Sequence, residues 1–353
     1  MEVVAVPDEE ILITSVTDPV AHALSVVGRR YRVADHYEVG REKVREYARA
    51  VQDAHPVHRV DGVAAEFGHP GLVAPPTFGA LLVGAVQDAL GEILTGYDLS
   101  STMQTDQTFD YLRPIVVGDR LTSNVCLHSF RQAFGGDLLV VENIVTNQHR
   151  QIVLNARTGL VARSAPSEAN AGIVESLSKI MRQPTPRIRA VTPAPDLPDA
   201  SSAPASPSIR TRAAHTVSEG DRLPDRIVDL TLGDLVNYAG VAGDTNPIHW
   251  HGDAARLVGL DGTVAHGMLT MALAAGFVTE WLGDPTALRH YSVRMTSPVP
   301  VTAQGPSTIE FQGRVKQFDP GTNQAVIALT ATHAGRKIFG RATATVRLSD
   351  HPA

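Results

Sequence analysis

Residues 47–58 read YARAVQDAHPVH, and residues 238–249 read YAGVAGDTNPIH. Laid over each other without a gap, 191 residues apart, they place Tyr47 on Tyr238, Asp53 on Asp244, Pro56 on Pro247 and His58 on His249. The same offset carries on to Gly68 over Gly259 and Ala74 over Ala265. Six coincidences in one register mark a duplicated domain with diverged copies.

Each copy has the same coarse order. A short helix comes first, REKVREYARAV or TLGDLVNYAGVAG, the second starting at Thr231 with Asp234 three residues on, a capping pattern. The turn with Asp and His follows, then an apolar helix, PTFGALLVGAVQDALGEIL or GMLTMALAAGFVTEWL. Strand-like runs complete each copy: DRLTSNVCLHSF, LLVVENIVTN and QIVLNARTGLVAR in the first, YSVRM, STIEFQGRVKQF, QAVIALTATHAG and KIFGRATATVRL in the second. Segregated strands with one apolar helix per copy predict an α+β fold, an antiparallel sheet wrapped around that helix. Between the copies, residues 164–208 hold eight of the 23 prolines among many Ala and Ser, which reads as a mobile linker. GIVESLSKIMRQ, within it, reads as a short helix. The expected division is an N-terminal extension (1–23), an N-terminal domain (24–163), the linker, and a C-terminal domain (209–350).

Composition narrows the function. The chain has 353 residues, 43% hydrophobic and 19% charged, as in globular proteins. A net charge of −6 gives no global support for binding nucleic acid. The single cysteine, Cys126, rules out an internal disulfide framework and reads as a buried strand residue. The N-terminus is acidic where a secretory signal is basic, and no run reaches the roughly 18 apolar residues of a membrane span. A cytoplasmic location is expected.

YAGVAGDTNPIHW followed by AHGMLTM resembles the hydratase-2 motif of the MaoC-like hydratases, which adopt the hot-dog fold. The C half is similar to the catalytic B-type subunit of the (3R)-hydroxyacyl-ACP dehydratase of type II fatty acid synthesis. The N half resembles its A-type partner, through HYEVGREKVREYA, GLVAPPTF, FDYLRPIVVGDRL and VVENIVTN. Residues 24–163 and 210–348 are covered. The resemblance implies a double hot-dog fold and reversible dehydration of a (3R)-3-hydroxyacyl thioester to a trans-2-enoyl thioester. It implies an acyl-ACP or acyl-CoA substrate, with acyl carrier protein as the expected partner.

That reaction needs a base for the C2 proton, an acid for the departing hydroxyl, and a donor for the enolate-like oxygen. His249, with an ordinary pKa of about 6.5, suits the base. Asp244 suits the hydroxyl or water, alone or sharing proton traffic with His249. Asn246 either braces the turn or binds the water. The N–H of Gly267, opening a helix, suits the oxygen, and glycine permits close approach. The plainer readings are that Asp244 only accepts turn N–H bonds, that Tyr238 and Trp250 are core or pocket wall, that Met268 and Met271 pack, and that His266 packs or caps. HWH at 249–251 has no third ligand nearby in sequence, and no glycine loop fits a nucleotide. No metal and no cofactor are expected.

The N copy keeps Asp53 and His58, which the A-type subunit usually lacks. Yet His55 replaces Asn246, and Pro76, which has no N–H, stands where Gly267 would donate. The N half is therefore expected to be a degenerate site that pairs with the C half and shapes an acyl tunnel, with FGALLVGAV as a candidate lining. Three rivals stay open: an (R)-specific enoyl-CoA hydratase, a dehydratase of a specialised lipid or polyketide pathway, and a non-enzymatic acyl-thioester binder. Arg256, Arg294, Arg336 and Lys337 are candidates for a rim that meets an acidic carrier. The two halves are expected to form an intrachain pseudo-dimer, with further homo-oligomerisation left open.

Overall fold

A computed structural model describes residues 18–97, 102–133, 136–162, 172, 175–177, 179–181, 191–198 and 211–350. Most of the expected N-terminal extension and linker lie outside these residues. Helix α1 (Pro19–Val26), capped by the Asp18 carboxylate on Val20 and Ala21, begins ahead of residue 24 and buries Ala23 and Val26. Of the short helix expected in the linker, Gly172 and residues 175–177 are helical.

The N half continues with β1 (Arg30–Val33), β2 (Tyr37–Glu38), α2 (Arg41–Ala50), α3 (Asp61–Glu66), α4 (Val83–Ile93), β3 (Met103–Tyr111), β4 (Arg120–Ala133), β5 (Gly136–Thr146) and β6 (Ile152–Ala162). Strand β7 (Val191–Pro193) lies within the expected linker and pairs antiparallel with β1. The C half holds β8 (Arg226–Leu230), α5 (Leu232–Ala242), α6 (Gly252–Leu257), α7 (Gly267–Leu282), β9 (Leu288–Met295), β10 (Ser307–Asp319), β11 (Gln324–His333), β12 (Arg336–Lys337) and β13 (Phe339–Arg347).

The strands form one sheet in the order β7-β1-β4-β5-β6-β3-β9-β13-β11-β10-β8, with β2 on β4 and β12 on β11. Every named pair is antiparallel. The halves join where β3 meets β9. Thr108 faces Ser292 there, 184 residues on, with hydroxyls 2.9 Å apart. Asp106 opposite Arg294 and Asp110 opposite His290 flank this pair symmetrically, so it marks a pseudo-twofold axis. Tyr47 and Tyr238, equivalent in the repeat, also meet across the halves, with ring centroids 6.2 Å apart.

Helix α7 is the centre of the C half. Its apolar residues run all round the helix, and Leu269 through Thr279 are all buried, as a helix enclosed by a sheet requires. Each of Leu269, Leu273 and Val278 contributes roughly 1.5–3 kcal/mol by leaving water. The N-half counterpart departs from the single helix expected: residues Pro76–Leu82 form a 3-10 helix, and only then does α4 begin. Pro75 and Pro76 stand at the cap and the first position, where a missing N–H costs a helix nothing. Gly79 weakens the helix and sits so close to Leu154 that a Cβ would lie 2.5 Å from Leu154 Cδ2. Strand β3 also departs from the periodicity reading. MQTDQTFDY has no run of apolar residues, and its place at the seam, not its pattern, makes it a strand. Cys126 is a buried β4 residue, as expected. Among the described residues no helix is long and apolar enough to cross a membrane.

Candidate active site

The repeat motif forms a rigid turn in the C half. The Thr231–Asp234 capping box starts α5, and Gly243, with φ of 78°, ends it in the left-handed conformation glycine tolerates. The Asp244 carboxylate then accepts the Asn246 N–H at 3.3 Å, and the Asn246 side-chain oxygen accepts the Ile248 N–H at 3.3 Å. Asn246 thus caps the 3-10 turn Pro247–His249. Trp250 donates its indole N–H to the Thr245 carbonyl, which closes the turn.

This turn presents His249, which is 8% exposed. Its Nδ1 lies 2.8 Å from the Val264 carbonyl. A carbonyl only accepts, so Nδ1 carries the proton and Nε2 keeps a free lone pair, the form a base needs. Burial pushes the His249 pKa down, against the opposing pulls of Asp244 and the Val264 carbonyl. The neutral base thus persists below pH 6.5.

His266, set aside as packing or capping, stands in the middle of the site. It is fully buried and stacks on His249, with centroids 3.8 Å apart. Its Nε2 is 3.3 Å from the Asp244 carbonyl oxygen. Burial and the neighbouring His249 push its pKa down to about 3, so it is neutral at working pH. Tyr238 packs edgewise near it, with centroids 4.9 Å apart. Ligand atoms of Asp244, His249 and His266 all lie within 4.8 Å of one another. This is the cluster that sequence spacing did not display. The stacked faces set the ring lone pairs side by side instead of converging, which is poor geometry for a metal. No hydrogen bond or ion pair joins Asp244 to His249, so the gap between them is of the size a hydroxyl or water spans.

Gly267 opens α7 next to His266, where the unpaired N–H groups and the dipole favour negative charge. A Cβ here would sit 2.5 Å from Met295 Sδ, so any side chain at this position requires the Met295 thioether to shift. Gln104 of β3 reaches the same helix turn, its Nε2 3.6 Å from Met268 Sδ. The N half therefore touches the first turn of α7. Met271 and Tyr238 are fully buried in the core. Of the cationic rim candidates, Arg256 is tied to Asp253 on its own helix, and Arg336 and Lys337 are exposed on β12.

The N-half pair is closed on itself. His58 Nδ1 donates to the Val73 carbonyl at 2.6 Å, and Nε2 lies 3.3 Å from Asp53 Oδ2, off the line of a good hydrogen bond. Burial alone would raise the Asp53 pKa; His58 and the His55 N–H outweigh it and hold the carboxyl below its usual range. His55 caps its turn as Asn246 does, through Nδ1, and its Nε2 reaches the Gly283 carbonyl of the other half at 3.1 Å.

The family model described as a FAS1-like dehydratase domain region matches residues 25–156, and that of the MaoC-like domain matches residues 211–333. A UPF0336 protein of Streptomyces coelicolor is 39% identical over 145 residues, which are 40% of this chain and 95% of that protein. A solved structure described as a MaoC-like dehydratase is 42% identical and superposes with a TM-score of 0.82, covering 93% of this chain and 100% of that one. A Mycobacterium tuberculosis protein described as a double hotdog fold is 13% identical, with a TM-score of 0.59 over 91% of this chain and 96% of that one. The two tandem units and their shared sheet are that double hot-dog fold.

Proposed function

Because the chain belongs to the MaoC-like dehydratase family, we propose that it catalyses the reversible dehydration of (3R)-3-hydroxyacyl thioesters to trans-2-enoyl thioesters. The observation that carries this is the free Nε2 of His249, held beside Asp244 at the N-terminus of α7. His249 Nε2 removes the C2 proton. The electron pair moves toward the thioester oxygen, which the Gly267 N–H and the helix dipole stabilise. Return of the pair forms the C2–C3 double bond and expels the C3 hydroxyl. That hydroxyl leaves as water, with the proton passed between His249 and Asp244. Burial of His249 supports the base role, because it keeps the imidazole neutral.

Residues 209–350 are assigned the chemistry, and residues 24–163 the supporting half. Pro76 has no N–H to offer an oxyanion, and the Asp53–His58 contact leaves less room for a hydroxyl between the two groups. The resemblance of the halves to B- and A-type subunits favours an ACP-linked acyl chain in fatty acid elongation.

The test follows hydration of a long trans-2-enoyl thioester, on CoA and on ACP, by loss of enone absorbance. His249→Ala is expected to abolish turnover, and His58→Ala to leave it near wild type. Equal or better turnover on CoA would replace the ACP reading with an (R)-specific enoyl-CoA hydratase. Binding without turnover on any 3-hydroxyacyl thioester would leave only a binder.

A further inference from the structure

A cleft opens in the N half at the place where the C half has its active site. It opens to solvent and has a cavity volume of about 30 Å³. One wall is Val73–Pro76, the counterpart of Val264–Gly267 by the 191-residue offset. Val73 is also the residue whose carbonyl orients His58. The other walls come from Tyr111, Arg113 and Ile115 of the N half and from Leu288 and Arg289 at the start of β9.

Three polar atoms on these lining residues are buried and find no hydrogen-bond partner among the described residues: Tyr111 Oη, Arg113 Nε and Arg289 Nη2. All three are donors, and two are charged. Leaving charged donors buried and unpaired costs more than leaving neutral ones. Among the described residues no carboxylate forms an ion pair with either arginine. The nearby Asp284 carboxylate, its Oδ1 held by the Thr286 N–H and hydroxyl at 2.8 and 2.7 Å, offsets part of the Arg289 charge without a direct ion pair. Arg347 adds a further positive charge close to Arg289.

The other half isolates what is special here. Beyond the helix, the halves correspond at the 184-residue offset of the Thr108–Ser292 pair. The bond from Ala74 N to the Ile115 carbonyl recurs on that basis as the bond from Ala265 N to the Val299 carbonyl. Tyr111, Arg113 and Arg289 then correspond to Met295, Ser297 and Thr105. Around the C-half site these positions hold a thioether and two hydroxyls; around the N-half cleft they hold a phenol and two guanidiniums.

We propose that the N-half cleft is a binding site for an oxyanion group, a carboxylate or a phosphate, held by Arg113, Arg289 and the Tyr111 hydroxyl. The half that has lost an oxyanion donor at Pro76 has gained a cationic cleft in its place. Guanidinium forks suit both groups, and the apolar residues Ile115, Val153 and Leu154 line the rest of the cleft for a carbon chain attached to the head.

The test is calorimetric titration of the full chain with inorganic phosphate and, separately, with hexanoate; hexanol is the neutral control. The expected result is saturable one-to-one binding of at least one anion and none of hexanol. Arg113→Gln and Arg289→Gln should each weaken it by about tenfold or more, as loss of a charged hydrogen bond predicts. Tyr111→Phe, which removes only a hydroxyl, should weaken it less and guards against unfolding of the arginine variants. His249→Ala should leave it unchanged. Phosphate alone would point to a phosphate ester as the source, and hexanoate alone to an acyl carboxylate. Binding of neither anion overturns the proposal. So does binding that all three cleft substitutions leave intact, or binding that His249→Ala abolishes.

Discussion

The imidazoles of His249 and His266 lie face to face, their centroids 3.8 Å and their planes 25° apart. His266 thereby shields one face of the proposed base from water, and two cations stacked this closely would repel. The acid limb of kcat/KM should accordingly fall below pH 6.5, because His249 acts only when unprotonated and its pKa is lowered. His266→Ala admits water, relieves the desolvation and should move that limb upward. A pH–rate profile of both proteins checks this; an unmoved limb would reduce His266 to packing.

His266 also predicts how stability depends on pH. Its folded pKa, about 3, lies below the ordinary 6.5, so between these values the unfolded chain binds the extra proton. Stability is therefore full above about pH 6.5 and is lost as pH falls toward 3. His266→Phe removes the group. Relative to wild type, it should grow more resistant to urea as pH drops from 7 to 4.5.

Gly267 and Met295 are predicted to be a coupled pair. Gly267→Ala drives a Cβ into the Met295 thioether and should cost about 1–3 kcal/mol, as overpacking does. Met295→Ala in the same chain should recover much of that loss, despite its own cavity, as a double-mutant cycle in urea would show. Additive losses would mean that the contact does not decide the residue.

Asp53 is predicted to hold the fold without serving the proposed chemistry. Asp53→Ala removes the partner of a fully buried histidine and should cost about 3 kcal/mol. Turnover per folded molecule should stay near wild type. Because its carboxyl is held below the usual range, the stability it supplies is present above about pH 3.8 and fades as pH falls through its folded pKa.

At the α5 start, Thr231→Ala removes the hydroxyl arm of the capping box, leaves the backbone N–H on Asp234, and should cost about 1 kcal/mol with little effect on turnover. A shift in the denaturation midpoint together with an unchanged KM is the expected outcome.

Local rules carried much of this fold into the sequence. Asp234 three residues after Thr231 announced the cap, because capping depends on neighbours along the chain. The apolar run of α7 announced a buried helix, and the 191-residue register announced two copies. Pro76 announced the lost donor, because a missing N–H is a property of the residue itself. Strand β3 gave no such signal: its polar residues become a strand by pairing with β6 and β9, partners supplied from far along the chain. The 3-10 geometry of Pro76–Leu82 was not legible either: the run reads as one apolar helix, and the close approach of Gly79 to Leu154 comes from β6.

For the candidate site the division is the same. The sequence by itself determined which groups were available: a turn with Asp244, Asn246 and His249, and a helix beginning at Gly267. Only the tertiary structure decided that Val264 fixes the His249 tautomer, that His266 stacks on it, and that Asp53 and His58 touch while Asp244 and His249 stand apart. It also decided that Arg113 and Arg289, from different halves, share one cleft. The physical reason is range. Caps and turns are set by bonds spanning a few residues. Burial, tautomers and charge proximity depend on atoms that the sheet brings together from 15 to nearly 200 residues away.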